Sequence, residues 1–286
     1  MLESNAQRAG AAGRIHALEK AVAGTVLGQT GVIRETVACL LAGGHGLLEG
    51  PPGVAKTLLV KSIASAAGID FSRIQFTPDL LPADITGTEV LVEDPAGRRF
   101  EFRKGPLFGN IILADEVNRA TPRTQSALIE AMAEQTVSAG TERHELPGPF
   151  TVLATQNPVE MEGTFPLPEA QLDRFLLKIL VAPPDEASLV EVFGRTAEAA
   201  PPLPAEVVSR EDLMALIAEV RSVENPETML RQIARIIRAT DPTGSAGPDS
   251  ARRNLRLGAS PRGGEAICRV ARVSALRDGR HYAVPA

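Results

Sequence analysis

The sequence predicts an α/β fold, a parallel sheet covered by helices on both faces and followed by a small all-helical domain. Three observations carry this expectation. Short apolar runs alternate with helical patterns through most of the 286 residues. A glycine-proline loop, GPPGVAKT (50–57), joins one apolar run to a helical segment. Beyond Pro183-Pro184 the strand-like runs stop. Apolar strands separated by helices form parallel sheets buried on both faces.

In chain order, Val32-Ile33, Val37 and Leu40-Leu41 recur at helical spacing, and Gly43-Gly44 ends that helix. HGLLE (45–49) is the first strand and runs directly into the loop. From Lys56 a helix extends to Gly68, and RIQF (73–76) is a strand followed by the turn-rich TPDLLPADITG. Alternating residues on both sides of a Pro-Ala-Gly tip predict a β-hairpin over 88–106. NIILADE (110–116) is a buried strand ending in two acids. Thr121-Pro122 opens the next helix, and TVSAGTERHELPG (136–148) gives a second hairpin, over 136–149. FTVLATQNP and FLLKILVAPP are further buried strands. Residues 185–200, 211–222, 226–240 and 261–278 read as helices, and 241–256 reads as a flexible loop. The expected division is a core over 1–184 and a helical domain over 185–286.

Composition narrows the function classes. A net charge of −5 and only one tyrosine and no tryptophan argue against a nucleic-acid-coating surface with stacking platforms. Cys39 and Cys268 have no metal-like spacing and read as reduced thiols. His144 and His281 likewise lack a partner at ligand spacing. The N-terminus has no apolar leader core, and no run approaches the roughly 18 apolar residues of a membrane span. A soluble cytoplasmic protein with no membrane span is expected.

The loop carries the chemistry. GPPGVAKT matches G-x-x-x-x-G-K-[ST] except that Ala55 stands before the lysine. Backbone N–H groups of such a loop converge on phosphate oxygens at a helix N-terminus. Lys56 would neutralise the β- and γ-phosphates of ATP, and the Thr57 hydroxyl would reach Mg2+. Gly50, Pro51, Gly53, Val54, Ala55, Lys56, Thr57 and Leu58 are the candidate nucleotide-binding residues. Alanine fits position 55 if its backbone is helical, since a left-handed φ would strain it. Asp115 and Glu116 end an apolar strand, where their desolvation demands a cation or water. Asp115 fits a Mg2+-holding role and Glu116 the base that activates water. Asn157, at the end of another strand, could position that water. Arg174 could stabilise charge on a neighbouring subunit's phosphate, and Arg262 opens a helix with Pro261 at its first position. Arg119 and Arg123 could face a neighbour. Arg98-Arg99 and Arg103-Lys104 make the first hairpin basic.

GPPGVAKT, IQFTPDLLPADITGTEV, ILADEVNRA, LATQNPVEMEGTFPLPEAQLDRF and GASPR together resemble the MoxR family of AAA+ ATPases, over roughly residues 15–286. The family's own loop carries alanine before the lysine. The resemblance implies a five-stranded αβα P-loop NTPase core with a C-terminal helical lid. It implies Walker A at Lys56 and Thr57, Walker B at Asp115 and Glu116, and sensor 1 at Asn157. It makes Arg174 the trans-acting arginine finger and Arg262 sensor 2, and it places Gly28-Gln29 beside the adenine. It also implies Mg2+-dependent ATP hydrolysis in a homo-oligomeric ring, a hexamer. The hairpins would work against a client protein, and a partner with a von Willebrand factor A domain is a family association. A chelatase-type or restriction-type motor subunit would use the same motifs, as would a nucleotide-gated scaffold with negligible turnover. The presence of both Glu116 and Arg174 argues against the scaffold. Lids of this family continue beyond the pattern GRHYAVPA, so a lid truncated at Ala286 is expected.

Overall fold

The computed structural model describes residues 2–94, 97–139, 142–157, 163–196, 201–244 and 247–284. The two hairpin tips (95–96 and 140–141), the stretch 158–162 of the family-like motif, the end of the 185–200 helix (197–200) and residues 245–246 lie outside these.

Helices α1 (Leu2–Ala23) and α2 (Thr30–Leu41) precede β1 (Gly46–Glu49), α3 (Lys56–Ala66) and β2 (Phe71–Gln75). A short α4 (Pro82–Thr86) leads into the hairpin of β3 (Gly87–Asp94) and β4 (Gly97–Lys104). Then come β5 (Ile111–Asp115), α5 (Pro122–Glu134) and a second hairpin of β6 (Thr136–Ala139) and β7 (Glu142–Glu145). β8 (Thr151–Gln156), α6 (Glu169–Leu172) and β9 (Leu177–Leu180) follow. The remaining elements are helical: α7 (Glu186–Thr196), α8 (Arg210–Ser222), α9 (Glu227–Ala239), α10 (Asp249–Asn254) and α11 (Pro261–Arg277).

Five strands form one sheet in the order β2-β5-β8-β1-β9, all parallel. Its apolar alternation is double-sided. Leu48, Ile111, Leu113, Leu153 and Ile179 face a core built with α1, α2 and α3. Leu47, Ile74, Ile112, Ala114, Val152 and Ala154 face Leu128, Ile129 and Met132 of α5. Parallel strands need such cover on both faces.

α1 has no counterpart in the sequence reading. Its Ala11, Ile15, Leu18 and Val22 are fully buried at a spacing of three and four, and its charged residues tie it to the C-terminal helices. Arg277 Nε donates to Glu19 at 2.9 Å, and Arg14 donates to Asp212 at 2.9 Å and Glu219 at 3.2 Å. Residues of α8 and α11 join the same core, so the helical part is packed on the α1–α2 side of the sheet. The flexible reading of 241–256 is corrected over Asp249–Asn254, where α10 forms. Ala251 is buried, and the close approach of Gly247 to the Ala239 carbonyl seats the turn before it. Among the described residues no helix is long and apolar enough to cross a membrane.

Candidate nucleotide site

The glycine-proline loop leaves β1 at its C-terminal end. A Cβ at Gly50 would stand 2.3 Å from the Val181 carbonyl oxygen, so only glycine lets the loop pass β9. Ala55 is the residue before α3, and its φ of 60° and ψ of 24° are left-handed. The helical backbone expected at this position is therefore wrong. The physical reason is that α3 begins only at Lys56, and the chain must reverse before it can enter the helix. The Lys56 ammonium donates to the Gly50 carbonyl at 2.7 Å, folding back across the loop. Burial lowers its pKa, while the nearby Asp115 and Glu116 charges oppose that shift. Val54 is buried, Gly53 and Ala55 are exposed, and Pro51, Thr57 and Leu58 are half-buried. The loop thus presents its backbone on a surface anchored by apolar flanks.

The parallel register brings the next groups to the same edge. Glu49 of β1 lies level with Gln156 of β8, and Ala154 of β8 lies level with Ala114 of β5. Gly50, the Asp115-Glu116 pair and Asn157 therefore emerge side by side from the C-terminal ends of three adjacent strands, where open α/β sheets hold ligands. Asn157 is 8% exposed. Asp115 Oδ1 accepts from the Thr155 hydroxyl at 2.6 Å, and the same hydroxyl oxygen accepts from the Glu116 N–H at 2.8 Å. Asp115 Oδ2 accepts from Arg73 Nε at 3.1 Å and Nη2 at 2.6 Å. Glu116, at a φ of 58°, accepts at Oε2 from Gln75 Nε2 at 3.0 Å and Arg119 Nη1 at 2.8 Å. Sequence reasoning missed Thr155, Arg73 and Gln75. Each lies at an odd step along a strand whose neighbour is known only once the sheet order is fixed.

Gly28 and Gln29 sit at this edge too. Gly28 has a φ of +71°. The buried Gln29 donates from Nε2 to the Ala182 carbonyl at 2.7 Å, just after β9.

Arg174 and Arg262 lie elsewhere. Arg174 precedes β9, whose first residue Leu177 pairs with Gly46 at the start of β1. It is therefore at the N-terminal ends of the strands, opposite the loop. Arg262 Nη1 lies 3.6 Å from Asp173 Oδ2, and Asp173 Oδ1 accepts from Ser260 at 2.6 Å. Both arginines line a cleft of about 390 Å³ with Arg221, Arg269 and Glu265. Arg269 is committed to the carbonyls of Ala42 and Gly43, each at 2.6 Å. His45, on the wall of this cleft, is buried. Its Nε2 is 3.0 Å from the Met132 carbonyl, and its Nδ1 accepts from the Val152 N–H at 3.0 Å. Burial pulls its pKa down to about 4, so the ring is neutral and structural.

The comparisons with known proteins follow the same lines. A family model described as ATPase family associated with various cellular activities (AAA) matches residues 45–177, and an AAA lid domain model matches residues 249–286. Chaperone MoxR1 of Mycobacterium tuberculosis is 42% identical over 283 residues, 96% of this chain and 73% of that protein. YeaC of Bacillus subtilis, an uncharacterised protein, is 43% identical, over 91% of this chain and 78% of its own. Protein MoxR of Paracoccus denitrificans is 33% identical, over 95% of this chain and 84% of its own. The crystal structure of "a putative ATPase" from Cytophaga hutchinsonii superposes with a TM-score of 0.90 at 40% identity, covering 99% of this chain and 86% of that one.

Proposed function

This chain belongs to the MoxR family of AAA ATPases, and on that premise we propose that it hydrolyses ATP with Mg2+ at sites shared between copies of itself in a ring. The observation that carries this reading is the separation of its charged groups. Gly50, Asp115, Glu116 and Asn157 lie at one end of the strands, and Arg174 and Arg262 at the other. One chain cannot direct both sets at a single triphosphate. A second copy, docked with its arginine cleft against the first copy's loop, completes the set. Such a head-to-tail interface closes into a ring when the rotation between copies closes, and a hexamer is our reading of its size.

The residues fit the ligands. Thr57 and Asp115 offer hydroxyl and carboxylate oxygens, the hard donors Mg2+ takes beside phosphate and water. A bound Mg2+ supplies charge neutralisation on the β- and γ-phosphates. Lys56 would release Gly50 and turn its ammonium to the same oxygens. The N–H groups of the loop and the first turn of α3 would hold the phosphates. Glu116 would accept the proton of the attacking water, with Asn157 orienting that water. Its present bonds to Gln75 and Arg119 hold the carboxylate away from that task. The partner copy's arginine cleft would stabilise charge in the transition state, an effect worth roughly 10³–10⁵ in rate.

We read residues 1–184 as the nucleotide-binding core and 185–286 as the lid. The client is a protein, consistent with the chaperone name of MoxR1, and a partner bearing a von Willebrand factor A domain fits the same role. The β3–β4 hairpin offers the contact. Leu91 and Phe100 are cross-strand neighbours and are 56% and 72% exposed.

Substitution tests the assignment. Lys56→Ala is expected to lose nucleotide binding, measured with a fluorescent ATP analogue. Glu116→Gln should bind ATP normally yet turn over at least about 100-fold more slowly, the lower end of the roughly 10²–10⁴-fold that a general base contributes. Normal turnover by Glu116→Gln would overturn the assignment of the base.

A further inference from the structure

Asp115 already has a cation. Arg73 stands on β2, the edge strand beside β5, in the register Arg73↔Leu113 and Gln75↔Asp115. Side chains two apart on one strand share a face, so Arg73 and Gln75 lie on the same side of the sheet as Asp115. Arg73 places two guanidinium nitrogens on the single oxygen Oδ2. Its Nη2 also donates to Gln75 Oε1 at 2.8 Å. With Thr155 on Oδ1, both carboxylate oxygens of Asp115 are engaged by the protein itself.

The two ends of the ion pair differ in their access to water. The Asp115 side chain is 13% exposed and the Arg73 side chain 46% exposed. A carboxylate so enclosed needs a positive partner or a donor at all times, because desolvation without one is costly. An arginine so exposed can leave at little cost, since a half-solvated ion pair contributes about 1 kcal/mol or less. A divalent cation and a guanidinium cannot both sit against Oδ2, because like charges at contact repel.

We infer that Arg73 is the resident counter-cation of Asp115, holding its carboxylate in the nucleotide-free protein and giving way when Mg2+ enters with nucleotide. This rests on the Mg2+-nucleotide reading given above. Arg73 is then a positioning residue that sets how much Mg2+ the site needs. It acts through Asp115 and makes no contact of its own with the reacting atoms.

The test is a Mg2+ titration of binding, read by the fluorescence of an N-methylanthraniloyl ADP probe on the full chain, with no turnover required. Arg73→Met removes the charge and keeps much of the length. The Mg2+ concentration for half-maximal binding is expected to fall about two- to fivefold, the range that one partly exposed ion pair can supply. Arg73→Lys should fall between Arg73→Met and the parent protein. Arg73→Met should also lower the thermal midpoint without ligand and recover most of the loss with saturating Mg2+ and ADP. A half-maximal Mg2+ concentration that is unchanged or raised in soluble, folded Arg73→Met and Arg73→Gln would overturn the inference and leave the ATPase reading standing. Failure of the parent protein itself to bind the probe with Mg2+ would overturn both.

Discussion

Ala55 carries the greatest local strain in the loop. A left-handed backbone costs a non-glycine residue about 1–2 kcal/mol, and Ala55 adopts it at a φ of 60°. Nothing crowds the position from outside, since the residue is exposed. Ala55→Gly should therefore stabilise the protein by about 1 kcal/mol in urea denaturation, a gain reduced by glycine's greater freedom in the unfolded chain. A loss of stability would mean that the φ at residue 55 is not left-handed in solution. The loop motif, the two acids and Asn157 were legible residue by residue, because each ends an apolar run. The backbone of Ala55 was not. Residue type alone favours the helical well at an alanine, and only the geometry of entry into α3 decides against it.

At the scale of elements, the two hairpins are joined. The Phe102 ring of β4 stacks on His144 of β7, with centroids 3.9 Å apart and planes at 6°, and meets Phe108 edge-on at 5.7 Å. β6 follows α5, and α5 covers the same face of β5 and β8. The stack thus links the exposed β3–β4 hairpin to the helix that follows the acidic pair. Phe102→Ala should loosen the β6–β7 hairpin, and its amides should exchange about three- to tenfold faster, matching the roughly 0.5–1.5 kcal/mol of an aromatic pair. Unchanged exchange there would mean that the hairpins move independently. Both hairpins were legible, the first from alternating residues and the second as a polar stretch, but their contact depends on tertiary placement, so His144 read as a lone histidine. The same limit applies to the strands. Their apolar runs were evident, whereas the order β2-β5-β8-β1-β9, and with it the Arg73–Asp115 pair, follows from crossovers that no local pattern encodes. α10 was hidden by the Pro, Gly and Ser residues before it.

For the whole molecule, the loop and acidic pair lie at one end of the sheet and Arg174 and Arg262 at the other. Helices α8 and α11 share a core with α1 and α2, and the ion pair of Glu19 with Arg277, largely enclosed at 15% and 19% exposure, strengthens that docking. Arg262 is therefore held at the Arg174 end by packing that begins with an N-terminal helix. The sequence reading named both arginines but could not say that they share one cleft. The most direct test mixes two inactive forms, Lys56→Ala, which keeps the arginine cleft, and Arg174→Ala, which keeps the loop. Each alone should be inactive in ATP hydrolysis. Mixed in equal amounts under assembling conditions, they should recover up to about a quarter of the parent rate, because about one head-to-tail interface in four then pairs an intact loop with an intact arginine. Mixtures as inactive as their components, in particles shown to contain both forms, would contradict a site built from two copies.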